Sequence, residues 1–354
     1  MNLRRMTSVF VLATAVAAGC AAFNAVIGGR CDAQCAAGML SQTLRYAAPI
    51  ALAALCGLVC ERSGILNIGI EGMMLTGALF AYATNLLLFV QLKQAGIDPA
   101  AAATASRAVA VAAAVASGGL LALLHAVVSI RFSANQIVSG TVVNILAIGI
   151  TGYGYRQYLA HDLPAGPGTF PPFDIPFLAN VPVLGTIFFS GQKPIAFLVP
   201  LIVVAVHLVL YHTPWGLRTR AAGENPRAAE TLGVDVPRVR YLNVVAGGLI
   251  AGLGGAWFTL EAVDVFSPLM TNGVGFIGLA AMIFGRWTPL GAWGGALLFG
   301  LGSAVTTTVS IFRPDIPSPL PQMLPYVLTM AVLAGYAGRA TPPAASGLPY
   351  EKQH

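Results

Sequence analysis

Long apolar runs separated by short polar joints set the pattern of this chain. The runs fall at about 7–28, 44–60, 64–92, 107–130, 136–158, 193–211, 240–262, 275–287, 288–310 and 321–338. A helix needs about 20 mostly apolar residues to cross a bilayer, and lipid offers no partners to unpaired backbone groups, so each run predicts a crossing helix. The expected fold is an all-α membrane protein, a polytopic helical bundle of about ten transmembrane helices. Runs 44–60 and 275–287 are short for a crossing. Short, glycine-broken segments occur where transporters build sites near the midplane.

Two polar stretches interrupt the pattern. Residues 159–192 hold six prolines, including Pro171-Pro172, so they cannot form one helix. Residues 212–239 are the most polar part of the chain. There Asn225 suits an N-cap, Pro226 the first helical position and Gly233 the residue after the last turn. This predicts a two-turn helix from Pro226 to Leu232, too short to stand alone. Ala221, Ala222, Ala228 and Ala229 would let a partner surface approach it closely; the plainer reading is a capped surface helix linking two spans.

Composition excludes a soluble domain: 9% of the 354 residues are charged, 56% are hydrophobic, and mean hydropathy is +0.76, against roughly 25% charged in soluble proteins. The net charge of +6 does not make a nucleic-acid groove. The basic residues stand singly between runs, apart from Arg218, Arg220, Arg227, Arg238 and Arg240. Ten crossings put both termini on one side, and that side collects twelve Lys and Arg against seven on the other. The positive-inside rule makes it cytoplasmic, in a bacterial inner membrane. Residues 1–20 loosely resemble a cleaved lipoprotein signal. Ala17 fits that pattern poorly and the run continues past Cys20 to Ile27, which favours an uncleaved helix. Cys31 and Cys35 could pair in an oxidising compartment or remain thiols. No His partners stand at metal-ligand spacing, so no metal site is expected.

Polar residues inside runs are the candidates for function. Glu71 is a carboxylate in an apolar segment, which calls for a partner or a polar cavity; Asn67 lies one helical turn earlier, and Gly64, Gly69 and Gly72 interrupt the helix. A structural ion pair with Arg62 or a neighbouring helix is the alternative. Asn135, Gln136 and Asn144 serve either interhelical hydrogen bonds or solute. Glu261 and Asp264 at the outer end of the 240–262 run read as surface acids or as a contact for a delivering protein. His125 and His207 read as packing. None of the three lysines follows a glycine, so there is no P-loop, and neither a Gly-x-Ser-x-Gly nor a His-Glu-x-x-His motif occurs.

Three blocks carry a resemblance. The stretch Gly216-Leu-Arg-Thr-Arg-Ala-Ala-Gly-Glu-Asn-Pro-Arg-Ala-Ala229 resembles the cytoplasmic coupling loop of ABC-importer permeases for simple sugars, nucleosides and branched-chain amino acids. Gly273 to Pro289 is similar to the same family, and Glu61 to Leu75 is similar to its nucleoside-uptake branch. The resemblance spans about 44–338. It implies a non-enzymatic permease subunit that moves a small polar solute, such as a nucleoside or a simple sugar, by alternating access. It implies as partners ABC ATPase subunits, a second and non-identical permease, an extracytoplasmic solute-binding protein and membrane lipid, with no nucleic acid. No cofactor is expected on this chain; ATP is used by the partner. Coupling to the ATPase would rest on Gly216, Arg218, Arg220, Gly223, Glu224, Asn225, Pro226, Ala228, Ala229 and Gly233. The solute path would run by Asn67, Gly69, Glu71, Gly72 and Asn144. The organisation expected is 1–43 as first helix and outer loop, 44–338 as permease domain with its coupling segment at 213–239, and 339–354 as cytoplasmic tail. An ATP-independent secondary transporter or channel is the rival; a proton path of acids and histidines would mark one, and Glu71 alone is deep in a run.

Overall fold

The computed structural model describes residues 33–160, 164–179, 181, 184–317, 319–324, 326–327, 330 and 341–350. The 7–28 run, Cys20, Cys31 and most of the 321–338 run lie outside them. Among the described residues there is no β-strand, only an isolated bridge between Phe173 and Gln192. Seven helices among the described residues are long and apolar enough to cross a membrane.

In chain order the helices are α1 (Ala33–Arg62), α2 (Ile70–Gln94), α3 (Pro99–Ala126), α4 (Gln136–Tyr158), α5 (Leu184–Phe188), α6 (Pro194–His212), α7 (Pro214–Glu224), α8 (Pro226–Thr231), α9 (Val236–Trp257), α10 (Val274–Phe284), α11 (Pro289–Phe312) and α12 (Pro319–Gln322). Helices α3 and α9 each end in a π turn, Val127–Arg131 and Phe258–Ala262. The 44–60 run is not a short crossing, because its helix α1 is 30 residues long. By contrast α10 has 11 residues, about 16 Å, or half the hydrocarbon core. The expected 64–92 helix begins only at Ile70, after a non-helical stretch from Leu66 to Gly69.

Helix α1 is the axis. Its middle, from Ala47 to Leu58, is buried on every face, as a helix apolar all round must be, and it packs against α9, α10 and α11. On its other flank α2, α3 and α9 interlock. A Cβ added at Gly118 of α3 would stand 2.7 Å from the Gly252 Cα of α9. Only glycine lets those backbones meet, and such close approach is the main packing force available between helices in lipid. Helix α4 lies outermost against α2, with Ile137, Val142, Ile145 and Ile148 exposed.

Candidate functional site

The break between α1 and α2 needs explaining, because non-helical backbone at membrane depth must find partners inside the protein. Several of its groups find them in side chains. Leu66 N donates to Gln136 Oε1 at 2.6 Å, and His125 Nε2 lies 3.2 Å from Leu66 O. A carbonyl can only accept, so Nε2 carries the proton and Nδ1 accepts from Ser139 Oγ at 3.0 Å. Asn144 Nδ2 donates to Ile68 O at 3.0 Å, its Oδ1 accepts from Gly72 N at 2.8 Å, and Gly69 N donates to Asn67 Oδ1 at 3.0 Å. His125 of the 107–130 run and Gln136 and Asn144 of the 136–158 run are therefore hydrogen-bond partners of a broken helix. Asn67 is wholly buried, its Nδ2 turned toward the sulfurs of Cys56, Cys60 and Met73 at 3.7, 3.6 and 3.6 Å.

Just past the break, Glu71 reaches across to the start of α10. Its Oε1 accepts from Thr271 Oγ1 at 2.5 Å and Gly273 N at 2.8 Å, and its Oε2 from Gly275 N at 2.7 Å. The first N–H groups of α10 have no partner within their own helix, and a carboxylate there also meets the positive end of the helix dipole. Two helices thus begin together, α2 and the half-length α10, with one carboxylate between them. Glu71 and Asn144 are both only partly buried, so this junction opens at the protein's side along α4. Of the residues expected on a solute path, Glu71, Gly72 and Asn144 meet at that opening. Asn67 and Gly69 sit behind it in the turn.

Glu261 plays the same part elsewhere. Rather than lying on the surface, it is buried, and it accepts from Ile195 N and, at 3.1 Å, from Ala196 N, closing the start of α6. Lys193 just before α6 donates to Glu261 O and Thr169 Oγ1.

The polar stretch at 212–239 is two helices. Asn225 Oδ1 accepts from Ala228 N at 3.1 Å, capping α8, which ends at Thr231 with Leu232 as C-cap, and Gly233 follows in the left-handed region at φ +81°. Before it stands α7, which the reading of this stretch as a loop missed. Thr213 Oγ1 accepts from Gly216 N at 3.2 Å and Pro214 occupies the first turn, so the start signal was present. Three fastenings hold α7 to the bundle. Gly216 abuts the carbonyls of Val209 and Leu210, Thr219 Oγ1 accepts from Asn243 Nδ2 at 3.0 Å, and a Cβ at Gly223 would sit 2.9 Å from the Arg62 carbonyl carbon.

The alanines divide. Ala222 and Ala229 are buried with Val236 and Val239 in a small cluster of this chain's own, whereas Ala228 is exposed. Also exposed on α7 and α8 and just after them are Arg218, Glu224 and Arg227, with Leu217 at 62% and Leu232 at 85% exposure. Arg220 stacks on Tyr211, 5.1 Å from the ring centre.

The family described as branched-chain amino acid transport system / permease component matches residues 39–333. The chain belongs to it. The permease is 40% identical over 314 residues to the guanosine ABC transporter permease protein NupQ of Bacillus subtilis, covering 88% of this chain and 95% of that protein. It is 35% identical over 316 residues to the nucleoside ABC transporter permease protein NupC of Lactococcus lactis, covering 89% and 96%. It is 33% identical over 317 residues to TsgC13 of Haloferax volcanii, an ABC transporter permease whose assignment to glucose is provisional, covering 84% and 91%. No solved structure matches. The permease is thus a multi-pass subunit of an ABC transporter, and ATP hydrolysis lies on a separate chain. Membership also implies ATPase partners and a solute-binding protein.

Thr271, Gly273 and Gly275 of the permease, which receive Glu71, were not singled out from sequence. Their signal was the run Asn272-Gly-Val-Gly, a left-handed Asn272 and Gly273 opening a short apolar helix.

Proposed function

We propose that this permease imports a nucleoside, working as one half of the membrane-spanning unit of its transporter. The names of NupQ and NupC support the solute. The observation that carries the path is the α2–α10 junction: two helix starts converge part-way through the bundle beside a partly open Glu71 and Asn144. Helix starts facing a cavity are how broken transporter helices hold polar solutes. Seven full crossings, the half-length α10, and the apolar runs at 7–28 and 321–338 together make about ten membrane segments. With both termini cytoplasmic, α7 and α8 face the ATPase. A second permease, of different sequence, would cover the exposed apolar side of α4 and close the path between the two.

ATP-driven closure of the ATPases would push on Leu217, Ala228 and Leu232, and α7 would carry the movement to α1 through Gly223, to α6 through Gly216 and to α9 through Thr219. Rocking of these packed helices then switches access. A simple sugar is the second reading, favoured by TsgC13. The test is uptake by the complete transporter in proteoliposomes. ATP-dependent accumulation of labelled guanosine, undiminished by excess glucose, is expected. Glucose uptake without guanosine uptake would overturn the solute, and uptake that persists without the ATPase would overturn the importer.

A further inference from the structure

Residues 341–350 lie beyond the 39–333 stretch matched by the family, yet they are fastened to two places at once. On one side Ala345 N donates to Gly223 O at 2.8 Å and Ala344 N to Glu224 Oε2 at 3.3 Å, while the Tyr350 hydroxyl donates to Glu230. These three partners belong to α7 and α8. On the other side Gly347 N donates to Gly64 O at 3.3 Å, in the turn that ends α1. Arg240 of α9 joins the two. It is 2% exposed, donates through Nε to Ser63 O at 3.1 Å and through Nη1 to Leu348 O at 3.4 Å, and lies 5.6 Å from the Tyr350 ring centre.

We infer that residues 341–350 are a strap that ties the coupling helices α7 and α8 to the α1–α2 turn, with Arg240 as the positioning residue at its centre. The inference rests on reading α7 and α8 as the ATPase-facing segment. The anchors at Ala345 and Gly347 are two residues apart in a hydrogen-bonded turn, with Ser346 N donating to Pro343 O at 3.0 Å and Leu348 N to Ala345 O at 3.2 Å, so the link is short and folded to one shape. Its far end is the backbone that leads into the Leu66–Gly69 break and hence to Glu71. A cavity of about 640 Å³ remains between the strap, Arg227 and Arg240. The strap is held by these directional contacts together with packing, since Pro343 and Ala345 are buried and Tyr350 rests against the Ala222–Ala229 cluster. Burial, then the bond to Glu230 and its charge, pushes the Tyr350 hydroxyl up to about 12, so it stays a donor throughout the physiological range.

The test uses the complete transporter in proteoliposomes and reads ATP hydrolysed per solute taken up. Three variants are compared: a chain ending at Ala340, an insertion of two glycines after Ser346, and Leu232→Asp. The first two should keep the ATPase bound at wild-type level while hydrolysing several-fold more ATP per solute. A purely structural tail would lower abundance and both activities together and leave the ratio unchanged. The insertion decides the matter if the shortened chain fails to assemble, because it slackens the link while preserving every anchor. An unchanged ratio in the insertion variant would overturn the strap. Leu232→Asp should lose the ATPase; normal association there would overturn the coupling reading, and the strap with it.

Discussion

Glu71 shows how one side chain can hold two elements. Its carboxylate takes three donors from the start of α10, and Glu71→Gln would replace one of the accepting oxygens by an amide that cannot accept. A buried N–H left without a partner costs about 1–3 kcal/mol. We expect this variant to lower the thermal unfolding temperature of the purified transporter as well as its uptake; an unchanged unfolding temperature would mean that the carboxylate does not hold α10. That Glu71 would have a polar partner was legible, since a lone acid in an apolar run requires one. Which partner was not, because Thr271 stands 200 residues away. Asn67 failed in the opposite sense: helical spacing put it beside Glu71, but the backbone is not helical there and the side chain faces sulfurs of α1. Asn225 and Gly233 were legible because capping is settled within a few residues.

Among elements, α7 and α8 were read with unequal success for a physical reason. Helix α8 is bracketed by Asn225, Pro226 and Gly233, while α7 is polar enough to pass for a loop and is helical because the bundle grips it at Gly216, Thr219 and Gly223. That grip separates two neighbouring alanines. Ala228→Arg adds a charge to an exposed face, so the chain should reach the membrane in normal amount yet retain little ATPase on copurification. Ala229→Arg forces a charge into the cluster with Ala222 and Val236, so abundance itself should fall, overpacking alone costing about 1–3 kcal/mol. Equal behaviour of the two would refute the division of faces. The length of α1 could not be read from hydropathy, since Ala33 to Thr43 is polar enough to end a run, whereas the 275–287 run was legible as too short for a crossing and its helix α10 has 11 residues.

For the whole molecule the tally of basic residues is the argument for the proposed orientation. In a background without native cysteines, a cysteine at Pro226 should resist an impermeant reagent applied to intact cells, and one at Gly166 should react. Labelling at 226 from outside would invert the assembly described above. The positions of the seven long apolar helices among the described residues were legible from hydropathy; the interior arrangement was not, because glycine contacts such as Gly118 with Gly252 join runs far apart in sequence. The same long-range closure has a consequence for synthesis. Helix α10 is too short to enter a bilayer alone, and the carboxylate it needs is translated 200 residues before Thr271. At roughly 5–20 residues per second, Glu71 waits at least ten seconds, on the order of tens at the slower rate, for the helix that shelters it. During that interval the nascent bundle carries an unsheltered acid.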